Sequence, residues 1–151
     1  MRRKDREITD RNKIDEIITR CRVCRIALCE NDQPYVLPLN FGYDGKYLYF
    51  HSADKGKKIE TLKKNSRVAF EFDILNEIVT DKNPCEWGAK YESVVGTGIA
   101  DFIESPEEKA GALECILKQY GGVFSEFKDS SLASVTIIRV TIVSVSGKVK
   151  K

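Results

Sequence analysis

The stretch His51-Ser52-Ala53-Asp54-Lys55-Gly56-Lys57-Lys58 gathers residue types that can hold a phosphate. Ser52 supplies a hydroxyl donor, Lys57 and Lys58 supply full charges, and Gly56 lets the backbone come close to a ligand. The stretch joins a strand pattern to a helical one. A helix N-terminus exposes unpaired N–H groups and a positive partial charge, so the chemistry on offer is anion binding. The alternative is a solvated, lysine-rich helix. Lysines at a helix start oppose the dipole, which counts against that alternative. Lys63 and Lys64 stand at the other end, where the dipole favours cations, and need no functional role.

His51 is the single histidine and ends a strand that carries Tyr47 and Tyr49 on the same face. It is either a partly buried, hydrogen-bonded histidine or a group that lines a pocket and donates to a substrate. One histidine excludes a His-rich metal site, and a Ser-His-Asp triad could be built only on this residue. Cys21-Arg22-Val23-Cys24 is a CxxC without the second ligand pair of a zinc site, so its cysteines are expected to pack. Arg22 and Arg25 could lower a thiol pKa there. Trp87, Tyr91 and Ser93 belong either to the core or to the wall of a planar ligand. No P-loop occurs, and Gly96-Thr97-Gly98 lacks the third glycine of a dinucleotide fingerprint.

The elements that must position these residues are legible in outline. Thr9 or Asp10 caps a helix whose Ile14, Ile17, Ile18 and Cys21 form one apolar stripe. Residues 23–29 turn to strand character, and 34–41 form an extended apolar run. Pro38 inside that run implies an edge or an interrupted ladder, because proline cannot donate. Asp44-Gly45 predicts a type I′ turn between this run and the strand 46–51. A short helix follows over 57–65, then a strand over 67–73, an irregular segment over 76–90 and a long strand over 91–103. Ser105-Pro106-Glu107-Glu108 opens a helix that Gly121-Gly122 stops. A last strand spans 133–146, with a bulge or two-sided burial near Ile137-Ile138. The total is about six strands and three helices, an antiparallel barrel with peripheral helices rather than a doubly wound sheet.

The 151 residues suit a single domain spanning 1–151, with 42% hydrophobic and 32% charged residues. A net charge of +2 gives no case for nucleic acid as a partner, and no apolar run is long enough to span a membrane. The charged start, Met1-Arg2-Arg3-Lys4-Asp5-Arg6, is not a signal peptide, and residues 1–9 are expected to fray unless docked. A cytoplasmic chain with reduced cysteines is expected.

The order Pro34-Tyr35-Val36-Leu37-Pro38-Leu39-Asn40-Phe41-Gly42-Tyr43, Leu48-Tyr49-Phe50-His51-Ser52-Ala53 and Gly56-Lys57-Lys58-Ile59 resembles the FMN-binding split-barrel superfamily typified by pyridoxamine 5′-phosphate oxidase. Cys24-Arg25-Ile26-Ala27-Leu28, Tyr91-Glu92-Ser93-Val94-Val95-Gly96 and Gly147-Lys148 are similar to its nitroimidazole-resistance branch. The resemblance implies a mainly β (α+β) fold, a six-stranded antiparallel split barrel, and a homodimer with FMN at the interface. It implies that Leu37, Pro38, Leu39 and Asn40 run along the flavin ring and that His51 and Ser52 lie near ring and phosphate. Lys57 and Lys58 would hold the phosphate, and Tyr91, Ser93 and Val94 would approach the flavin, from the same chain or from the partner subunit. The implied activity is an oxidoreductase taking electrons from NAD(P)H and reducing a small acceptor such as a 5-nitroimidazole, with His51 at the reacting centre. Related split barrels use F420 or haem instead, or bind flavin without turnover. The terminal Val145-Ser146-Gly147-Lys148-Val149-Lys150-Lys151 departs from the Trp- and Arg-rich end of the true oxidases, so vitamin B6 oxidation is not expected.

Overall fold

The computed structural model describes residues 3–123 and 126–151. Its strands are β1 (Glu7–Ile8), β2 (Cys24–Glu30), β3 (Gln33–Leu39), β4 (Gly42–Tyr43), β5 (Tyr47–Ser52), β6 (Arg67–Val79), β7 (Gly88–Ile103) and β8 (Thr136–Lys150). Its α-helices are α1 (Arg11–Arg20), α2 (Lys57–Lys64), α3 (Pro106–Gln119) and α4 (Asp129–Ser134). Every strand pairing is antiparallel, in the order β3–β2–β6–β7–β8–β5–β4, with β1 added beside β8. The two ends of that path, β3 and β4, are joined only by Asn40 and Phe41. One extended run therefore supplies both ends of the sheet, and the sheet closes on itself as a split barrel.

Alternation fills the interior. Phe70 and Phe72 of β6, Ile26 and Leu28 of β2, and Leu48 and Phe50 of β5 point inward and are almost wholly buried. The Phe41 and Phe72 rings meet with centroids 4.8 Å apart. Ile14, Ile17 and Ile18 of α1 and Ile59 and Leu62 of α2 join the same core. Ile137 faces the opposite way, into a small second core with Ile103 and Ala112. Thus Ile137 and Ile138 are each buried, one on each face of β8.

Several local expectations hold. Asp10 caps α1, its carboxylate accepting from Asn12 N–H at 3.0 Å. Ser105 caps α3 and Pro106 is its first residue. Residues 7 and 8 are docked by pairing with Lys148 and Gly147.

Others are corrected. Among the described residues there are eight strands rather than six, and a fourth, short α-helix. The β2–β3 hairpin turns on Asn31 and Asp32, both with positive φ (49° and 59°), the conformation a type I′ turn requires. At Asp44-Gly45 only Gly45 has positive φ, and the Asp44 carboxylate accepts from the N–H groups of Lys46 and Tyr47. That side-chain turn replaces the expected I′ turn. Residues 76–79 and 88–90 are not irregular but lengthen β6 and β7 into one long hairpin. Of the two readings for Ile137-Ile138, burial on both faces holds, and the ladder irregularity of β8 falls instead at Val143, the residue skipped between Gly98↔Ile142 and Thr97↔Ser144.

Candidate functional site

The β4–β5 ladder has only two pairs, Gly42↔Tyr49 and Tyr43↔Leu48. Continued by the same register, the next positions would be Phe41 opposite Phe50, Asn40 opposite His51 and Leu39 opposite Ser52. None of these pairs forms. The Phe41 N–H instead donates to the Tyr120 hydroxyl at 3.1 Å, and that hydroxyl donates to the Arg22 carbonyl at 2.8 Å. The barrel therefore has an open seam, with β3 along one side and the end of β5 along the other.

β3 pairs only with β2, so alternate backbone groups face the seam without a ladder partner. Pro34 and Pro38 sit in this edge strand, where a missing N–H is tolerated. Leu37 and Leu39 turn their side chains into the core and offer only backbone to the seam. Pro38 and Asn40 are exposed. Across the seam, His51 is exposed and Ser52 half-buried.

The chain leaves β5 at Ser52 and reaches α2 through 53–56. Gly56 is the N-cap, with φ +116°, a conformation that favours glycine, and no side chain caps the helix. A Cβ there would meet nothing within 4 Å. The first N–H groups of α2 therefore have no side-chain cap. Lys57 is exposed, with its Nζ 4.5 Å from the Tyr35 ring centroid on β3. Lys58 is half-buried, and that burial lowers its pKa from the ordinary lysine value. The far end of the helix is pinned to β2. Thr61 donates to the Glu30 carboxylate at 3.2 Å, Lys64 pairs with the same carboxylate, and Asn65 donates to the Cys29 carbonyl at 3.0 Å. Cradle and seam are therefore neighbours held by one rigid arrangement. The roles of Tyr35 and Tyr120 are not legible in the sequence. Tyr35 belongs to the extended run 34–41, but its contact with Lys57 depends on packing between elements distant in sequence.

Tyr91, Ser93 and Val94 are not brought to this seam within one chain. Their places on β7 pair with Leu75, Asp73 and Phe72 on one side and with Lys150, Lys148 and Gly147 on the other. His51 and Ser52 pair with the opposite end of β8, Ile137 and Thr136. Val94 is fully buried, its side chain in the core, and its strand is laddered on both edges. Trp87 is half-exposed outside the core, its indole N–H donating to the Asp81 carbonyl at 2.8 Å.

The two cysteines of the CxxC are packing residues. Cys21 and Cys24 are buried, and burial pushes the Cys21 thiol up to about 11 and the Cys24 thiol higher still. The Arg25 charge acts to lower the Cys24 thiol, as expected, but burial outweighs it. Arg25 pairs with Glu71 at 3.1 Å and with Asp73, and Arg22 is bonded to the Gln119 carbonyl. No group of His, Cys, Asp and Glu among the described residues could hold a metal. No helix among them is long and apolar enough to cross a membrane.

Comparison with known proteins agrees with this geometry. A candidate 5-nitroimidazole antibiotic resistance protein from Bacteroides thetaiotaomicron is 33% identical, with TM-score 0.85 over 95% of this chain and 86% of that one. An FAD-binding protein from Mesorhizobium loti is 25% identical, with TM-score 0.72 over 97% and 98%. An FAD- and haem-binding protein from Mycobacterium smegmatis, 19% identical, shares the fold with TM-score 0.87 over 97% and 74%. An uncharacterised protein from Rhizobium meliloti is 26% identical over 91 residues, 60% of this chain and about half (53%) of that protein's own length. Residues 10–149 match the pyridoxamine 5′-phosphate oxidase family along nearly the whole chain, and the chain belongs to that family.

Proposed function

We propose that the chain is a flavin-dependent oxidoreductase that holds the FMN moiety with its ring along the seam and its phosphate on α2. The observation that carries this reading is the uncapped α2 N-terminus beside an unpaired strand edge. The residues fit the group. Gly56 leaves the approach open, Lys57 and Lys58 supply charge, and Ser52 supplies a hydroxyl. When bound, the flavin supplies the electron transfer.

The protein's part is binding and orientation. Lys58, short of hydration, gains most from an anion that restores its charge. Backbone groups of Leu37 to Asn40 border the ring. His51, exposed at the end of β5, reaches an acceptor above the seam and donates a proton to it. The acceptor class is a small nitro compound such as a 5-nitroimidazole, and the donor is NAD(P)H.

The working unit is a homodimer in a reducing, cytoplasmic setting. Val36, Val95, Ile99 and Val143 are exposed on the outer sheet face, an apolar surface suited to a second copy. A partner is also what would bring Tyr91 and Ser93 to a seam they do not reach in their own chain. Anaerobic oxidation of NADH or NADPH by the flavin-loaded protein, with and without a 5-nitroimidazole, tests the activity. Acceptor-dependent consumption above that of free FMN supports it. Retained flavin with no consumption reduces the protein to a flavin binder.

A further inference from the structure

Beyond the pair Tyr91↔Lys150, β6 and β7 have no third strand beside them among the described residues. They continue as a two-stranded arm through Glu77↔Lys90, Ile78↔Ala89 and Val79↔Gly88. Such a ribbon is marginal in water on its own. Yet Leu75, Ile78 and Trp87 are each more than half exposed there. Along β7, Val95, Thr97 and Ile99 point outward and alternate with buried Val94, Gly96 and Gly98. By the same alternation Trp87, Ala89 and Tyr91 lie on the outward face, which Leu75 and Ile78 share as ladder partners of Tyr91 and Ala89. One apolar stripe therefore runs from the arm onto the barrel, about 40 Å from Trp87 to Ile99. That length suits a protein surface rather than a small ligand.

The barrel end of the stripe matches itself. Ala27, Ala69, Thr97 and Ser144 lie side by side across the sheet, a low row that lets another surface come close. Glu71 and Val95 flank the row on one side, Arg67 and Ile99 on the other. A half-turn about Thr97 exchanges the flanks. It sets Val95 of each copy against Ile99 of the other, and Arg67 of each against Glu71 of the other. The charges are complementary. Arg25 faces two carboxylates, Glu71 and Asp73, which leaves one negative charge in excess. Arg67 is exposed and has no carboxylate partner among the described residues. Beside Ile99 a groove of 580 Å³, floored by Ala27, Ala69 and Thr97 and bounded by Val143, has room for the Val95 side chain of a second copy.

The same half-turn carries the arm past the end of β7 in the other copy. Tyr91 comes opposite Ile103, each six residues from Thr97. Ile103 is two ladder steps from His51 through Ile137, about 10 Å. We propose that two copies pair face to face about Thr97 and that the arm of each closes over the seam of the other, with Trp87 beside the flavin. The proposal rests on the flavin reading above.

Complementation between variants of the full chain tests it. Trp87→Ala should weaken FMN binding about five-fold. Heterodimers of Trp87→Ala with the Lys57→Ala, Lys58→Ala double variant, purified through two different tags, should recover wild-type affinity at one of their two sites. Only an arm acting in the other copy gives that recovery. Thr97→Lys, which sets two like charges together at the axis, should give a monomer that binds FMN about as weakly as Trp87→Ala does. Val95→Glu is the parallel variant should the first fold poorly. Heterodimers without a wild-type site, or unchanged FMN affinity in Trp87→Ala, overturn the assignment of the arm. A wild-type chain that binds FMN tightly as a monomer overturns the pairing and leaves the flavin reading standing. Failure to bind any flavin overturns both.

Discussion

Lys57 Nζ lies 4.5 Å from the ring centroid of Tyr35, which ties the first turn of α2 to the edge strand β3. A cation over an aromatic face is attracted by about 0.5–1 kcal/mol at an exposed site. The contact holds the phosphate cradle against the seam. A flavin ring and its phosphate could then be gripped by neighbouring elements without large rearrangement.

Replacing Lys57 and Lys58 together by alanine should weaken FMN binding at least about ten-fold, since each charge-assisted contact is worth about 1.5–3 kcal/mol. Riboflavin, which lacks the phosphate, should bind both proteins equally. Fluorescence titration checks both statements, and an unchanged FMN affinity would remove the phosphate from α2.

The same site has a pH signature. Burial lowers the Lys58 pKa, and a bound phosphate favours its charged form. FMN affinity should therefore fall as pH rises, with the loss beginning below the ordinary lysine range, while riboflavin affinity stays level. For folding the sign is opposite. The half-buried ammonium disfavours the folded state below its lowered pKa, and that cost is relieved as pH rises through it. A Lys58→Met protein should lose both dependences, which calorimetry at several pH values would show.

The seam depends on a tyrosine far from it in sequence. Tyr120 accepts the Phe41 N–H and donates to the Arg22 carbonyl. Tyr120→Phe leaves two backbone groups without these partners and should cost about 1–2 kcal/mol in urea unfolding. It should also weaken flavin binding by loosening the bend between β3 and β4. Destabilisation without any change in flavin affinity would separate the bend from the site.

The path from sequence to site explains why such contacts escape a linear reading. The strand run 34–41 and the lysine-bearing helix start were legible because each is local. Pro38 announced an unpaired edge, and β3 is an edge strand. The type I′ turn was misplaced because Asp-Gly is the stronger dipeptide signal, whereas Asn31 and Asp32 adopt positive φ only with β2 and β3 paired around them. The Tyr120–Phe41 hydrogen bond spans 79 residues and leaves no pattern in either segment. Val94 matched a familiar motif, yet the alternation of β7 sends its side chain into the core. Segment 76–90 shows no clear alternation because Ile78 and Trp87 are exposed in the hairpin that β6 and β7 form.

Gly42 is needed for packing rather than for its conformation. A Cβ there would sit 2.6 Å from the Ile116 nitrogen and 2.8 Å from the Cys115 carbonyl carbon, both backbone atoms of α3. Neither atom can yield without moving the helix. Gly42→Ala should cost about 3 kcal/mol in denaturant unfolding. A cost under about 1 kcal/mol would mean that α3 does not clamp the β4 end of the barrel.

Thiol labelling provides a check on the fold itself. Cys85 is exposed, while burial pushes the Cys21 and Cys115 thiols up to about 11 and Cys24 higher. A thiol reagent at neutral pH should label Cys85 first, leave Cys21 and Cys24 unreacted in the native protein, and reach all five cysteines in denaturant. Rapid native labelling of Cys24 would contradict the packing of β2 against β6.

The most direct test of the account is the visible absorption spectrum of the purified protein after incubation with flavin and desalting. The seam and the α2 cradle predict a retained oxidised-flavin spectrum at about one flavin per chain, lost in the Lys57→Ala, Lys58→Ala double variant. A folded protein that emerges colourless would contradict the assignment of this site to a flavin.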